Sequence, residues 1–299
     1  MADKIPPLPR RLVERKTRAS LREDWGAKGD ITSRAVVGAH DQAAAQLRAR
    51  RGGILAGMDF AAAAFRLSAG RLSAGRETLR LTRRKADGAR LARGDIVMEL
   101  RGQARALLAG ERVALNYLGH LSGIATTSAE LASALAGTRA QLRCTRKTTP
   151  GLRAEEKYAM RVGGVRNHRA TLSDGVLIKD NHIALASNSA SDLAALVAAA
   201  RRRLGARTAD HVIEVEIDRL QQIEAALSAG ADMLLLDNMT PAQTAAAVRQ
   251  IGTRAQIEVS GGIATRRQIA AHARAGAHFI ATSAPVSASR WLDFGLDFV

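Results

Sequence analysis

The feature that most constrains this chain is a rhythm in its second half. Short apolar runs alternate with amphipathic segments, and run after run closes on a polar residue. Residues 142–146, 176–180, 211–216, 233–237, 256–260 and 278–282 read as strands. Between them, residues 192–204 predict a helix with Leu193, Leu196, Val197 and Leu204 on one side. Asp218 is placed to cap a helix carrying Leu220, Ile223, Ala226 and Leu227, and Gly230 to stop it. Thr240, with Pro241 in the first turn, and Gly252 bound the next helix, and Thr265 and Gly276 the last. Such alternation implies parallel strands joined by right-handed crossovers. The strands end on Arg146, Lys179, Glu216, Asp237, Ser260 and Thr282. One such residue would mark only where a strand leaves the core. Six of them with complementary charge match the strand-end face on which βα barrels gather their chemistry.

The first third reads differently. Residues 42–51, 78–84 and 95–102 are expected strands and 61–68 a helix, with Gly88, Gly94 and Gly102 as punctuation. This describes a smaller α+β domain. Residues 66–70 and 71–75 both read Arg-Leu-Ser-Ala-Gly; two short copies make a helix end and a loop, not a solenoid. From 111 to 136, small and apolar residues predict helix, broken near Ser122-Gly123, as the junction between domains.

Composition closes off some classes. Aromatic residues are only 3% of the chain against 46% hydrophobic, so the core is Ala, Leu, Val and Ile, which suits helices on buried sheets. No apolar run approaches the roughly 18 residues of a membrane span, and the first residues lack a secretory apolar segment. A single cysteine, Cys144, excludes an internal disulfide and a cysteine-based zinc site. A cytoplasmic protein is expected. The net charge of +17 sits mostly in the first 112 residues, with 24 Lys and Arg against 12 Asp and Glu. The basic residues are not interleaved with aromatics and carry no nucleic-acid-binding spacing, so no nucleic-acid partner is expected. An Arg-rich composition combined with attraction of anionic substrates accounts for the excess.

Three segments concentrate cations among small and apolar residues: Cys144-Thr145-Arg146-Lys147-Thr148-Thr149-Pro150-Gly151, Asn167-His168-Arg169, and Leu177-Ile178-Lys179-Asp180-Asn181-His182. Arginine offers a planar fork to carboxylate or phosphate and lysine a point charge, so the set suits a polyanion. Glu216 and Asp237, on neighbouring strand ends, can hold Mg²⁺ or ribose hydroxyls or act as acid and base. Ser260-Gly261-Gly262 lies between a strand and a helix, where backbone N–H groups can meet phosphate. His168 and His182 are candidates; His40, His120, His211, His272 and His278 are set aside as structural or exposed. No base accompanies Cys144, which reads as a small buried residue.

These motifs resemble quinolinate phosphoribosyltransferase, the carboxylating nicotinate-nucleotide pyrophosphorylase family, over nearly the whole chain. The resemblance runs from Gly29-Asp30-Ile31-Thr32-Ser33 through Glu111-Arg112-Val113-Ala114-Leu115-Asn116, Leu121-Ser122-Gly123-Ile124-Ala125-Thr126 and residues 145–153. It continues through Glu156-Lys157-Tyr158, Asn167-His168-Arg169, residues 177–183, Glu214-Val215-Glu216, Leu236-Asp237-Asn238-Met239 and Ser260-Gly261-Gly262-Ile263. It implies an N-terminal α+β sandwich over residues 1–115, rejoined by about 286–299, and an incomplete, TIM-like parallel βα barrel over 116–285. It implies Mg²⁺-dependent phosphoribosyl transfer to quinolinate, with release of CO₂ and pyrophosphate, on the de novo route to NAD. By resemblance, Arg146, His168, Arg169 and Lys179 form the quinolinate pocket with Thr145, and Lys147 lies between the substrates. Lys147, Glu216 and Asp237 are the catalytic set. Glu216 and Asp237 handle ribose and the metal, directly or through water. Ser260, Gly261 and Gly262 bind phosphate with Thr282, Ser283 and Ala284. Arg112 corresponds to an arginine that the family supplies from the partner subunit, so a homodimer is implied.

One segment departs from the family pattern. After Ile280 the family has a Ser-Val-Gly stretch, whereas this chain reads Ala281-Thr282-Ser283-Ala284-Pro285. Two alternatives therefore stand beside the main reading. One is a related phosphoribosyltransferase of the molybdate-transport-associated group acting on another anionic base. The other is a non-catalytic nucleic-acid-binding protein.

Overall fold

The structure, a computed structural model, describes residues 5–72, 79–186, 193–204 and 212–299. Thr78, Asp192, His211 and most of the second Arg-Leu-Ser-Ala-Gly copy lie outside the described residues. Numbered in chain order, the strands are β1 (Gln42–Ala49), β2 (Gly53–Ile54), β3 (Arg80–Arg83), β4 (Arg90–Leu91), β5 (Ile96–Gln103), β6 (Gln141–Cys144), β7 (Val176–Ile178), β8 (Ile213–Ile217), β9 (Met233–Asp237), β10 (Gln256–Ser260), β11 (Phe279–Thr282) and β12 (Phe294–Phe298). The chain divides into two compact units. The first is Met1–Ala129, Ala154–Gly163 and Ala288–Val299; the second is Glu130–Arg153 and Gly164–Ser287.

The first unit is built on a four-stranded antiparallel sheet in the order β12-β1-β5-β3. Along β1 the inward positions Ala45, Leu47 and Ala49 alternate with more exposed ones, the signature of a sheet covered on one face. The helices Met58–Leu72 and Arg10–Trp25 pack on each other. The first of these supplies the buried Phe60 and Phe65. The second buries only Val13, Thr17 and Leu21, one residue per turn on a single stripe.

The expected break near Ser122-Gly123 is absent: one helix runs unbroken from Ala104 to Ala132. The Ser122 hydroxyl accepts from the Ala56 N–H at 2.9 Å and donates to the Ala56 carbonyl at 3.1 Å, so it serves packing rather than a turn. A Cβ on Gly123 would lie 2.3 Å from the Arg290 carbonyl oxygen, so this glycine admits another backbone at close range. The continuous helix carries the first unit to Ala129, beyond the expected residue 115. The segment Ala154–Gly163 also joins this unit, not the barrel, because it carries the unit's buried polar contacts. Tyr158 donates to Asp87 at 2.7 Å, Glu156 meets His120 at 3.1 Å, and Glu155 meets Lys16 at 3.4 Å.

The second unit is a six-stranded parallel sheet in the order β6-β11-β10-β9-β8-β7 with intervening helices, the incomplete βα barrel read from the sequence. Beyond β6 the chain adds a strand-like bridge. The Arg166 N–H donates to the Leu142 carbonyl at 2.8 Å, and the Cys144 N–H to the Arg166 carbonyl at 3.0 Å. β6 and β7 are shorter than expected, so Arg146 and Lys179 sit in the loops that follow, and Asp180 opens a helix, Asp180–Ala186. Thr240 and Thr265 each form a capping box with the glutamine three residues on. Asp218 is not a cap. The Gln222 side chain accepts from the N–H groups of Asp218 and Arg219, and a short turn, Leu220–Gln222, leads into the helix Ile223–Ser228. Among the described residues no helix is long and apolar enough to cross a membrane.

The close approach at Gly123 makes a stability prediction that opposes helix propensity. Gly123→Ala should lower stability by about 1–3 kcal/mol, the cost of overpacking. Gly70→Ala, in the helix Met58–Leu72 with nothing within 4 Å of the added Cβ, should gain about 0.5–1 kcal/mol. Urea unfolding midpoints decide the matter. A stabilised Gly123→Ala would contradict the packing account.

Candidate active site

The site is assembled where the parallel strands end. Asp237 is the last residue of β9, Ser260 of β10 and Thr282 of β11; Glu216 is the penultimate residue of β8, and Lys179 directly follows β7. Lys179 Nζ and Glu216 Oε2 form a close ion pair. The Lys179 backbone N–H donates to His182 Nδ1 at 3.0 Å, so His182 braces the turn that carries the lysine.

The loop after β6 is held by its own hydroxyls. Thr145 Oγ1 accepts from the Lys147 N–H at 3.0 Å. Arg153 donates to Thr148 Oγ1 at 3.0 Å and to the Ala170 carbonyl at 3.1 Å, tying the loop to the Asn167–Arg169 segment. Lys147 is exposed; Arg146 and Arg169 are half-buried. Burial and the neighbouring Glu214 act in opposite directions on Arg169, and burial is the larger, lowering its pKa from the ordinary value; the positive charge of Arg146 nearby adds to the lowering. Cys144 is buried, and its sulfur accepts from the His168 N–H at 3.3 Å.

Asn238 has φ of 56°, rare for a residue with a side chain, and donates its amide to Asp237 Oδ2 at 2.7 Å. The same residue's N–H donates to the Ser260 carbonyl at 2.9 Å. At Gly261, φ is +95° and a Cβ would lie 2.2 Å from Asn238 Oδ1. Asp237, Asn238, Ser260 and Gly261 therefore interlock, and only glycine fits the turn. The Thr282 hydroxyl donates to the Ile263 carbonyl at 2.6 Å and accepts from the Ala284 N–H at 3.1 Å. Thr282 and Ala284 are buried and Ser283 is half-buried. Arg112 lies in the first unit, exposed on the helix Ala104–Ala132.

Sequence reasoning passed over a second layer of charge inside the barrel. Arg143 donates to Glu258 Oε2 at 2.7 Å, with side chains only 11% and 2% exposed, and its guanidinium lies over the Phe279 ring. Glu214 Oε2 lies 3.4 Å from His168 Nε2. Burial most of all, and then the like charge of Glu258, raise the carboxyl pKa of Glu214; burial raises that of Glu258, against the pull of Arg143. A cavity of about 530 Å³ is lined by Arg143, His168, Arg169, Asp174, Glu214 and Met233 among others. The sequence carried a signal for this layer. Glu214 and Glu258 each sit between apolar neighbours in a strand, two residues before the strand-end residues Glu216 and Ser260 and so on the same face, while Arg143 lies between Leu142 and Cys144.

This arrangement can be compared with known proteins. Residues 30–122 match the model of the quinolinate phosphoribosyl transferase N-terminal domain, and residues 124–297 that of its C-terminal domain. The chain belongs to the quinolinate phosphoribosyl transferase family. It is 39% identical over 283 residues to the nicotinate-nucleotide pyrophosphorylase [carboxylating] of Mycobacterium leprae, covering 94% of this chain and 95% of that protein. It is 37% identical over 277 residues to the probable enzyme of the same name in Bacillus subtilis, covering 92% and 89%. The solved nicotinate-nucleotide pyrophosphorylase of Francisella tularensis superposes with a TM-score of 0.88 at 33% identity, covering all of both chains.

The buried pair in this family member sets a test. Arg143→Met strands Glu258 and should destabilise the protein by about 3 kcal/mol or more. Arg143→Met/Glu258→Leu should recover at least half of that loss, measured by urea unfolding at neutral pH. A double variant no better than the single would assign the loss to Arg143 packing on Phe279, not to charge.

Proposed function

We propose that this chain transfers the phosphoribosyl group of phosphoribosyl pyrophosphate to quinolinate, giving nicotinate mononucleotide, CO₂ and pyrophosphate. The observation that carries the reading is the convergence in one unit of Arg146, His168, Arg169 and Lys179 with the carboxylates Glu216 and Asp237. Quinolinate bears two adjacent carboxylates, which this cation set neutralises. The pyridine nitrogen attacks the anomeric carbon as the bond to pyrophosphate breaks, and the departing oxygen keeps the electron pair. Positive charge that develops on the ribose is stabilised by Glu216 and Asp237. The ring nitrogen is then cationic. The adjacent carboxylate leaves as CO₂, its bonding pair stays on the ring carbon beside that nitrogen, and the carbon takes up a proton. Lys147, exposed after β6, lies between the two substrates. Ser260 and the Gly261-Gly262 turn offer backbone donors to phosphate. Much of the acceleration comes from holding two anions in reacting orientation.

Mg²⁺ fits the oxygen donors of this site. Glu216 is paired with Lys179, and Asp237 accepts the Asn238 amide, so the protein offers these two carboxylates rather than a closed cage. Mg²⁺ retains waters and takes substrate phosphates as ligands, so bound near Glu216 and Asp237 it would supply charge neutralisation to pyrophosphate. A cytoplasmic location is part of the reading and fits the single buried cysteine.

Substrate choice tests the reading. Quinolinate should be turned over with kcat/KM at least about 10²-fold above nicotinate, because the monoacid leaves enclosed cations unpaired at a cost of about 3 kcal/mol. The measurement is nicotinate mononucleotide formed from each base with phosphoribosyl pyrophosphate. Equal kcat/KM for the two would sink the assignment.

The reading also includes a homodimer in which Arg112 completes the partner's site. Inactive Arg112→Ala and Lys147→Ala subunits, mixed and allowed to exchange, form hybrids with one intact site and one doubly mutated site. Random exchange makes about half the dimers hybrid, so activity should return to roughly a quarter of the wild-type level. Verified exchange with no recovered activity would remove Arg112 from the site in trans.

A further inference from the structure

Behind the cations assigned to substrate lies an acidic pair that the reaction itself does not use. Glu214 and Glu258 sit two residues before Glu216 and Ser260 on β8 and β10, facing the barrel interior and only 2% exposed. Glu258 is bound by Arg143. Glu214 is not bound in this way. Its Oε2 lies 3.4 Å from His168 Nε2, and its buried Oε1 has no hydrogen-bond partner. Glu214 is also the strongest attractive charge on Arg169, and Lys179 lies within its field. Of the four residues assigned to the dicarboxylate, His168 is thus in contact with this buried carboxyl group. Two of them, His168 and Arg169, line the same cavity as Glu214.

A buried carboxylate placed behind binding cations has two opposite consequences. It reduces the positive potential that draws an anion in. It also holds the cations in one arrangement, so that less side-chain freedom is lost when the anion arrives. An alternative occupant is a divalent cation, since ligand atoms of His168, Glu214 and Glu258 lie within 4.8 Å of one another. Arg143 is already bonded to Glu258 at 2.7 Å, so one of the three ligands is held by a cation.

We propose that Glu214 is a positioning residue for substrate: it fixes the His168 imidazole and the Arg169 guanidinium on the inner wall so that both meet the two carboxylates of the base in register. The proposal rests on the quinolinate reading given above. It differs from a merely structural role in affecting the binding of one substrate and not of the other.

The test uses Glu214→Gln, which keeps the shape and removes the carboxyl group, and Glu214→Asp, which keeps the carboxyl group and shortens the reach. Steady-state constants are measured for both substrates, with calorimetric binding of quinolinate alone. Glu214→Gln should raise KM and Kd for quinolinate about 10-fold or more, the scale expected from losing two preorganised contacts, and leave KM for phosphoribosyl pyrophosphate within about 2-fold. Glu214→Asp should fall between wild type and Glu214→Gln, and it carries the test if the glutamine variant does not fold. Unchanged or tighter quinolinate binding in the folded variants overturns the proposal, as does a loss confined to kcat or thermal stability. Zn²⁺ or Mn²⁺ binding to the wild type that competes with quinolinate and vanishes in Glu214→Gln overturns it in favour of a metal site. A wild type that binds quinolinate without turning it over sinks the catalytic reading alone. No quinolinate binding by the wild type overturns both.

Discussion

The structure turns on charge held inside a parallel barrel. Arg143 and Glu258 are bonded in the interior, and Glu214 lies against His168 with Arg169 in its field. Ions cost several kcal/mol each to remove from water, so this layer persists only because opposite charges meet. Removing one partner strands the other, which is why the arrangement is stiff. Stiffness is what a site for a small, rigid dianion requires. On the proposed reading, the cations above this layer need little rearrangement to meet the substrate.

The scaffold serves the same end. In a parallel βα barrel every strand delivers its last residue to one face. Here that face receives Lys179, Glu216, Asp237 and Ser260. Turn geometry then refines it. Asn238 in the left-handed region sets its amide on Asp237, and Gly261 leaves room for the Asn238 side chain. The Thr282 hydroxyl, spent on Ile263 and Ala284, locks the turn after β11. This answers in physical terms the departure at Ala281–Pro285: the segment forms a tight, internally bonded turn without glycine at Ser283.

Much of this was legible in the sequence because the relevant signals are local. Thr240 and Thr265 announce their helices through the glutamine three residues on, and the strand-end residues stand out against apolar runs. What was missed depends on contacts distant in sequence. The helix Arg10–Trp25 buries three residues and reads as a charged segment until Val13, Thr17 and Leu21 meet the helix Met58–Leu72. β12 becomes a strand because β1 offers it an edge. Ser122-Gly123 reads as a break, since small polar residues favour turns, yet tertiary packing keeps the helix whole. Glu214 and Glu258 were visible as an alternation, but Arg143 was not, and only the folded sheet shows that these residues of different strands meet.

The central claim is that a pre-set group of cations recognises two adjacent carboxylates. A crystal structure of the protein with quinolinate bound in the absence of the second substrate tests it most directly. The account predicts one carboxylate or the other within hydrogen-bond distance of Arg146, His168, Arg169 and Lys179, with His168 still against Glu214. Quinolinate bound away from these residues, or cations rearranged so that His168 leaves Glu214, would contradict it.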